Sequence, residues 1–192
     1  MSDHIRKWDD RFARGEELHD YEPSPPLPTA VAGVPPGLAL DLASGAGRHA
    51  IWLAERGWRV HAVDGSRVGT ERMMNEARRR GVAERIEARI ADIEAPGFTL
   101  EADGYDLACD FYFLHRPLFE QVRLAVRRGG LFVAAIHTKG GTEQGHFVLH
   151  PGELRTIVEG WGWKIESFRE GDSAERGHRH PTAELVARRP LS

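Results

Sequence analysis

The chain has 192 residues and a net charge of −3 at pH 7 with both signs interspersed. This is the size of one domain with a substantial core, and the charge gives no indication of binding to nucleic acid or an acidic membrane. The single cysteine, Cys109, excludes a disulfide framework and a cysteine-rich metal site. No apolar run suits a transmembrane helix, and the N-terminus lacks a signal-peptide core. We therefore expect a soluble, cytoplasmic protein.

The first thirty residues are predicted to form a lid. Ile5, Trp8 and Phe12 recur at helical spacing and predict a helix over Asp3–Arg14. The proline-rich segment that follows, Tyr21–Pro28, is predicted to be neither helix nor central strand, because proline lacks a backbone N–H. We interpret residues 1–30 as a lid helix with a rigid connector, and residues 31–192 as the core of the same single domain.

Two βα units are predicted to open the core, because short apolar runs alternate with helical patterns. The predicted elements are a strand at Leu38–Leu42, a small-residue loop at 43–47, a helix over Gly47–Arg56, a strand at Arg59–Val63, a helix over Arg67–Arg80 and a strand at Ile86–Ile90. Alternating strands and helices indicate a parallel sheet.

The second half continues this alternation and then departs from it. Its predicted elements are a strand at Tyr105–Phe113, a helix over Pro117–Arg127, a strand at Leu131–His137 after a turn at 129–130, a helix near 154–161, and strands near 163–168 and 183–187. No helical crossover separates the last two strands, so they should form an antiparallel hairpin. The predicted fold class is α/β, a Rossmann-like, mostly parallel seven-stranded sheet with helices on both faces and a C-terminal antiparallel hairpin.

The loop after the first strand predicts a cofactor site. Glycines there let a flat ligand lie against the backbone, and an acid after the second strand, Asp64, suits a ribose diol. Gly45, Gly47 and Ala50 also satisfy the dinucleotide pattern, so the loop alone is compatible with NAD. Asp41 would repel a pyrophosphate and suits a cofactor that carries an ammonium group.

Longer motifs indicate a family. The segments WDDRF at 8–12, EPS at 22–24, LDLASGAGRHA at 40–50, YFLHRPL at 112–118 and FVLHPGEL at 147–154 resemble class I S-adenosylmethionine-dependent methyltransferases, in particular the bacterial tellurite-resistance and thiopurine methyltransferase-like group. The resemblance implies S-adenosyl-L-methionine as cofactor and S-adenosyl-L-homocysteine as product. It also implies in-line methyl transfer to a small-molecule thiol, chalcogen oxyanion or amine.

The resemblance assigns cofactor-binding roles. Asp41, Gly45 and Gly47 would support the methionine part, the Ala43 carbonyl would accept from its ammonium, and Asp64 would bind the ribose. Asp92 and Ile93 would bind adenine, Arg11 would pair with the cofactor carboxylate, and Trp8 would cover the site. The predicted cofactor residues are Trp8, Arg11, Asp41, Ala43, Gly45, Gly47, Asp64, Gly65, Ser66, Asp92, Ile93, Asp110 and Phe111. The structural alternative to ribose binding by Asp64 is that Asp64 caps the helix after the second strand, a role that Ser66 could fill instead.

The catalytic residues are less clearly indicated. The candidates are Tyr112, near the end of the predicted fourth strand, and His115, which follows that strand and is alternatively a helix-capping or loop histidine. His137, at the end of the fifth strand, is a further candidate for a general base and is alternatively a capping or loop histidine. His146 is expected on a loop at the acceptor side. We predict no metal, because His178 and His180 lack an evident third ligand. The predicted partner is a small-molecule acceptor, without nucleic acid or membrane, and the protein is predicted to be a monomer or homodimer.

Two other functions remain open from the sequence. The chain is alternatively a non-catalytic protein that binds S-adenosylmethionine or S-adenosylhomocysteine, or a short NAD-dependent oxidoreductase. Cofactor competition and an acceptor panel separate the three.

Overall fold

A computed structural model describes residues 2–15, 21–139, 148–173, 175 and 180–192. The α-helices are α1 (Asp3–Arg14), α2 (Pro26–Val31), α3 (Arg48–Glu55), α4 (Arg67–Arg79), α5 (Arg116–Ala125) and α6 (Glu153–Gly160). The strands are β1 (Leu38–Leu42), β2 (Arg59–Asp64), β3 (Ile86–Ile90), β4 (Tyr105–Phe111), β5 (Val126–His137), β6 (Lys164–Gly171) and β7 (Thr182–Arg188). A short 3-10 turn covers Ala83–Arg85.

One compact unit comprises Met1–Pro23 and Pro36–Thr99. Its three strands are parallel, with β2 between β1 and β3. Helices α3 and α4 are the crossovers between these strands, and α1 contacts α4. Strands β1 and β2 bury nearly all of their apolar side chains, as expected of parallel strands covered by helices, whereas Ile90 at the end of β3 is exposed.

The other compact unit comprises Ser24–Pro35 and Leu100–Ser192. Its strand order is β4-β5-β7-β6. Strand β4 is parallel to β5, whereas β7 is antiparallel to both β5 and β6. Helix α2 packs against β5 and β7, although it precedes them by about a hundred residues along the chain.

The seven strands form the mixed, mostly parallel sheet with helices that the sequence predicts, and the antiparallel C-terminal pair is confirmed. Helix α1 and strands β1 and β3 occupy the predicted residues. The single domain over 1–192 stays a prediction. None of the helices in the described ranges has the length and apolar character that a membrane crossing requires.

Two predictions were wrong. Helix α2 begins at Pro26, inside the segment predicted to exclude a helix, because prolines are tolerated in a first turn whose N–H groups have no helical partner. Strand β5 begins at Val126 rather than Leu131. Val126 pairs with Tyr105 before the register shifts, so Gly129 and Gly130 lie within an irregular strand instead of preceding it.

Candidate functional site

The loop between β1 and α3 is built from left-handed residues. The φ angles are 51° at Ala43, 52° at Gly45 and 84° at Gly47. The Ser44 N–H donates to the Val63 carbonyl at 3.1 Å, which ties the loop to β2. Left-handed backbone costs a non-glycine residue roughly 1–2 kcal/mol, so Ala43 is held there by its surroundings.

Asp41 lies near the end of β1, two residues before this loop. It is 1% exposed, and its carboxylate accepts from the backbone N–H of Ala50 in the first turn of α3. Its Oδ2 atom has no hydrogen-bond partner among the residues that the structure describes. Burial, and then the charge of Asp64, raise the pKa of Asp41 to about 7. Asp41 is therefore a buried acid that is partly protonated near neutral pH.

Asp64 fastens the loop to the turn after β2. Its Oδ2 accepts from the Gly45 N–H at 2.7 Å and its Oδ1 accepts from the Ser66 N–H at 2.6 Å. Burial raises the pKa of Asp64, although these two backbone donors act in the opposite direction. Each carboxylate oxygen has more than one lone pair, so this arrangement still permits further donors.

Ser66 caps α4, so Ser66 and not Asp64 supplies the N-cap of this helix. Its hydroxyl accepts from the Gly69 N–H at 2.9 Å and donates to the carboxylate of Asp9 in α1. Asp9 also accepts from the Val68 N–H at 3.2 Å. The hydroxyl and the N–H of Ser66 are thus both engaged within the fold, and its contact with a cofactor stays a prediction.

Side chains of α1 occupy the space that the glycines provide. Phe12 is the single buried residue among the twelve of α1. A Cβ atom on Gly45 would lie 2.9 Å from its ring, as would one on Gly69. A Cβ atom on Gly65 would lie 2.8 Å from Ile5. Sequence reasoning assigned Gly45 and Gly65 to a cofactor and missed their neighbours Phe12 and Ile5, although the spacing in α1 had singled out both side chains.

Gly47 is restricted by a different neighbour. A Cβ atom there would lie 2.2 Å from Cγ of Met73 in α4. Met73 is fully buried, so it has little room to move. The second glycine of the motif therefore allows close packing of α4 against the loop.

Trp8 and Arg11 lie on α1 as predicted and contact each other. The guanidinium of Arg11 is 4.6 Å from the centre of the Trp8 ring. The indole N–H of Trp8 donates to Nε2 of His4 at 3.1 Å, and its ring lies against Phe12. Asp92 and Ile93 follow β3 in the same unit. Asp92 accepts from the Glu94 N–H at 3.1 Å, and Ile93 is buried.

The remaining candidates lie at the end of β4, in the second unit. Asp110 and Phe111 are buried. Tyr112 leaves the strand with φ 63°, and its N–H donates to the Ala135 carbonyl at 2.7 Å. A tyrosine with positive φ is uncommon and marks a backbone position that its surroundings impose. His115 occupies the N-cap position of α5 without a side-chain capping bond.

A polar cluster surrounds Tyr112. Its hydroxyl donates to Oε2 of Glu175 at 2.5 Å, and the hydroxyl of Ser24 donates to the same oxygen at 2.9 Å. The Tyr112 ring lies 5.2 Å from that of His137, which stands edge-on to His180 at 5.4 Å. Sequence reasoning missed Glu175, because it is distant along the chain from every motif. Ser24 was visible in the EPS motif but had no assigned role.

The described ranges contain no group of three or more potential metal ligands. His146 and His178 lie outside the described residues. Cys109 is fully buried in β4 and is not part of a disulfide.

Residues 39–130 match the family model described as a methyltransferase domain. The matched range includes the loop after β1, Asp41, Asp64 and the end of β4. This part of the chain is therefore similar to a methyltransferase domain. No curated protein is significantly similar to it in sequence.

Solved structures share the fold of this chain. TehB from Haemophilus influenzae is 17% identical with a TM-score of 0.74, and the alignment covers 95% of this chain and 67% of that one. A 1,6-didemethyltoxoflavin-N1-methyltransferase from Burkholderia thailandensis, solved with bound S-adenosylhomocysteine, is 17% identical with a TM-score of 0.70 over 97% of this chain and 87% of its own. The [4+2]-cyclase SpnF is 14% identical with a TM-score of 0.69, over 85% and 79% of the two chains.

Proposed function

We propose that the protein transfers a methyl group from S-adenosylmethionine to a small-molecule acceptor and releases S-adenosylhomocysteine. The observation that carries the proposal is the arrangement at the end of β1, where a left-handed loop follows buried Asp41 and is fastened by Asp64. These residues fall within the matched methyltransferase domain.

The two carboxylates of the site suit this cofactor better than a dinucleotide. Asp41 is buried, its Oδ2 has no hydrogen-bond partner in the described part of the chain, and its ionised form is disfavoured. An ammonium group would supply both a donor and a compensating charge, whereas a pyrophosphate would add repulsion. Asp64 has lone pairs that can accept ribose hydroxyls beside its two backbone donors.

The other predicted residues have roles consistent with this assignment. Asp92 would accept from the adenine amino group while Ile93 covers the ring, and the exposed Arg11 would pair with the cofactor carboxylate. When bound, the cofactor supplies an electrophilic methyl group. The protein then aligns the acceptor with it and excludes water, which is the main contribution that a displacement of this kind requires.

The acceptor is proposed to be a thiol, a chalcogen oxyanion or an amine. The 1,6-didemethyltoxoflavin-N1-methyltransferase shares the fold. Because a [4+2]-cyclase shares it as well, the fold alone does not determine the reaction. Binding without methyl transfer is therefore the alternative that an experiment has to separate.

Calorimetry with S-adenosylhomocysteine and with NAD tests the cofactor. We expect the protein to bind S-adenosylhomocysteine and not NAD. The Asp64→Asn variant should bind S-adenosylhomocysteine at least about tenfold more weakly, since a hydrogen bond to a charged group contributes about 1.5–3 kcal/mol. Glu159→Gln, at an exposed position of α6, is the control. S-adenosylhomocysteine release is then measured with thiols, amines, selenite and tellurite. A preference for NAD, or binding without turnover of any acceptor, would refute the proposal.

A further inference from the structure

The cluster at the end of β4 has a feature that cofactor binding does not explain. Glu175 accepts hydrogen bonds from two hydroxyls through one oxygen, from Tyr112 at 2.5 Å and from Ser24 at 2.9 Å. The first distance is typical of a charge-assisted O–H···O⁻ bond. The three side chains come from segments that are far apart in the sequence, so the fold, not local structure, brings them together.

Tyr112 is held in one orientation. Its left-handed backbone turns it out of β4, its N–H is fixed to Ala135, and its ring lies against His137. Ser24, which is completely buried, anchors Glu175 from the other side. A ligand at an open α/β sheet lies outside the carboxyl ends of the strands, and Tyr112 is the residue that follows the carboxyl end of β4.

We propose that Tyr112 and Glu175 form a proton relay for the methyl acceptor, with Ser24 holding Glu175 in place. This inference rests on the proposed methyltransferase function. It narrows the acceptor to a neutral molecule that loses an N–H or O–H proton on methylation. An acceptor that is already ionised has no proton to give and does not need the relay.

The proton balance of the relay is complete. The acceptor nitrogen or oxygen forms a bond to the methyl carbon as the carbon–sulfur bond breaks, and that electron pair returns to sulfur. The acceptor proton passes to Oη of Tyr112, while the proton of Tyr112 passes to Oε2 of Glu175. The net products are methylated acceptor, neutral thioether and a protonated Glu175. The phenolic oxygen can do this because it both donates and accepts hydrogen bonds. Tyr112 is the catalytic residue in this scheme and Glu175 is a positioning residue that acts through it.

The relay is tested by comparing two classes of acceptor. Glu175→Gln and Tyr112→Phe are each expected to lower kcat for neutral amine or hydroxyl acceptors by about 100-fold or more, the usual size of general-base catalysis. With an ionised acceptor such as a thiolate or selenite, we expect a change of less than about threefold. Ser24→Ala should give an intermediate loss with neutral acceptors. Glu159→Gln is the matched carboxylate control.

A second measurement does not depend on activity. The chain contains three tyrosines, so the carbon-13 resonance of the Tyr112 phenol carbon is assigned by its absence in Tyr112→Phe. We expect Glu175→Gln to shift this resonance in the protein without cofactor, because the charged hydrogen-bond acceptor is lost. A thermal melt establishes that each variant is folded.

The outcomes separate the relay from the function on which it rests. Equal losses with both classes of acceptor, or no loss with neutral ones, overturn the relay while methyl transfer itself stands. An unshifted Tyr112 resonance in Glu175→Gln overturns the hydrogen bond on which the relay depends. A wild-type protein that binds no S-adenosylhomocysteine overturns the proposed function, and the relay with it.

Discussion

Asp41→Asn tests whether a buried acid before the glycine loop makes the stability of the protein pH-dependent. The carboxyl is 1% exposed, and its pKa is raised from 3.8 to about 7, chiefly by burial. Between those two values the folded state binds more protons than the unfolded state. The contribution of Asp41 to the free energy of unfolding therefore falls as pH rises through this range. The full contribution is present only below about pH 4.

The size of the effect follows from the same linkage. From pH 5 to pH 8 the contribution of Asp41 to the free energy of unfolding should fall by about 2–3 kcal/mol. Asparagine cannot ionise, so it removes this pH dependence. Its amide also places an NH₂ group where Oδ2 has no partner in the described part of the chain, and an unpaired buried NH₂ group lowers the free energy of unfolding. This loss does not vary with pH, so it cancels when stabilities at two pH values are compared.

Urea unfolding of wild type and Asp41→Asn at pH 5 and pH 8 measures the difference. We expect the variant to gain stability relative to wild type by about 2–3 kcal/mol between the two conditions. Asp10→Asn, at an exposed position of α1, is the matched control and should run parallel to wild type. If the curves for Asp41→Asn and wild type also stay parallel, Asp41 is ionised in the folded protein and the argument from its burial fails.

The remaining predictions concern the loop and its neighbours. Phe12→Ala should lower the free energy of unfolding by about 3 kcal/mol and accelerate hydrogen exchange in α1, because α1 has no second buried residue. The control is Lys7→Ala, at an exposed position of the same helix. Unchanged hydrogen exchange in Phe12→Ala would contradict the prediction. Gly47→Ala should lower the free energy of unfolding by about 2 kcal/mol or more, through its left-handed φ and the contact with Met73, and a neutral result in urea unfolding would exclude that contact.

The elements of the fold were largely predictable from local pattern. The spacing of Ile5, Trp8 and Phe12 predicted α1, and apolar runs predicted β1 and β3 at the residues where they occur. Where the prediction was wrong, a residue type acted against its usual tendency. Pro26 begins a helix because only later positions in a helix need a backbone N–H, which proline lacks. Gly130 continues a strand that other strands hold in place.

The candidate site was predictable only in part. By itself the sequence determined a glycine loop between a strand and a helix, the acids Asp41 and Asp64 at the ends of two strands, and a family resemblance, because these features are local and periodic. Only the tertiary structure decided that Asp41 is buried, that Phe12 fills the space beside Gly45, and that Glu175 meets Tyr112. Burial and long-range contact depend on how distant segments pack, and that packing leaves no signal in the spacing of residues along one chain.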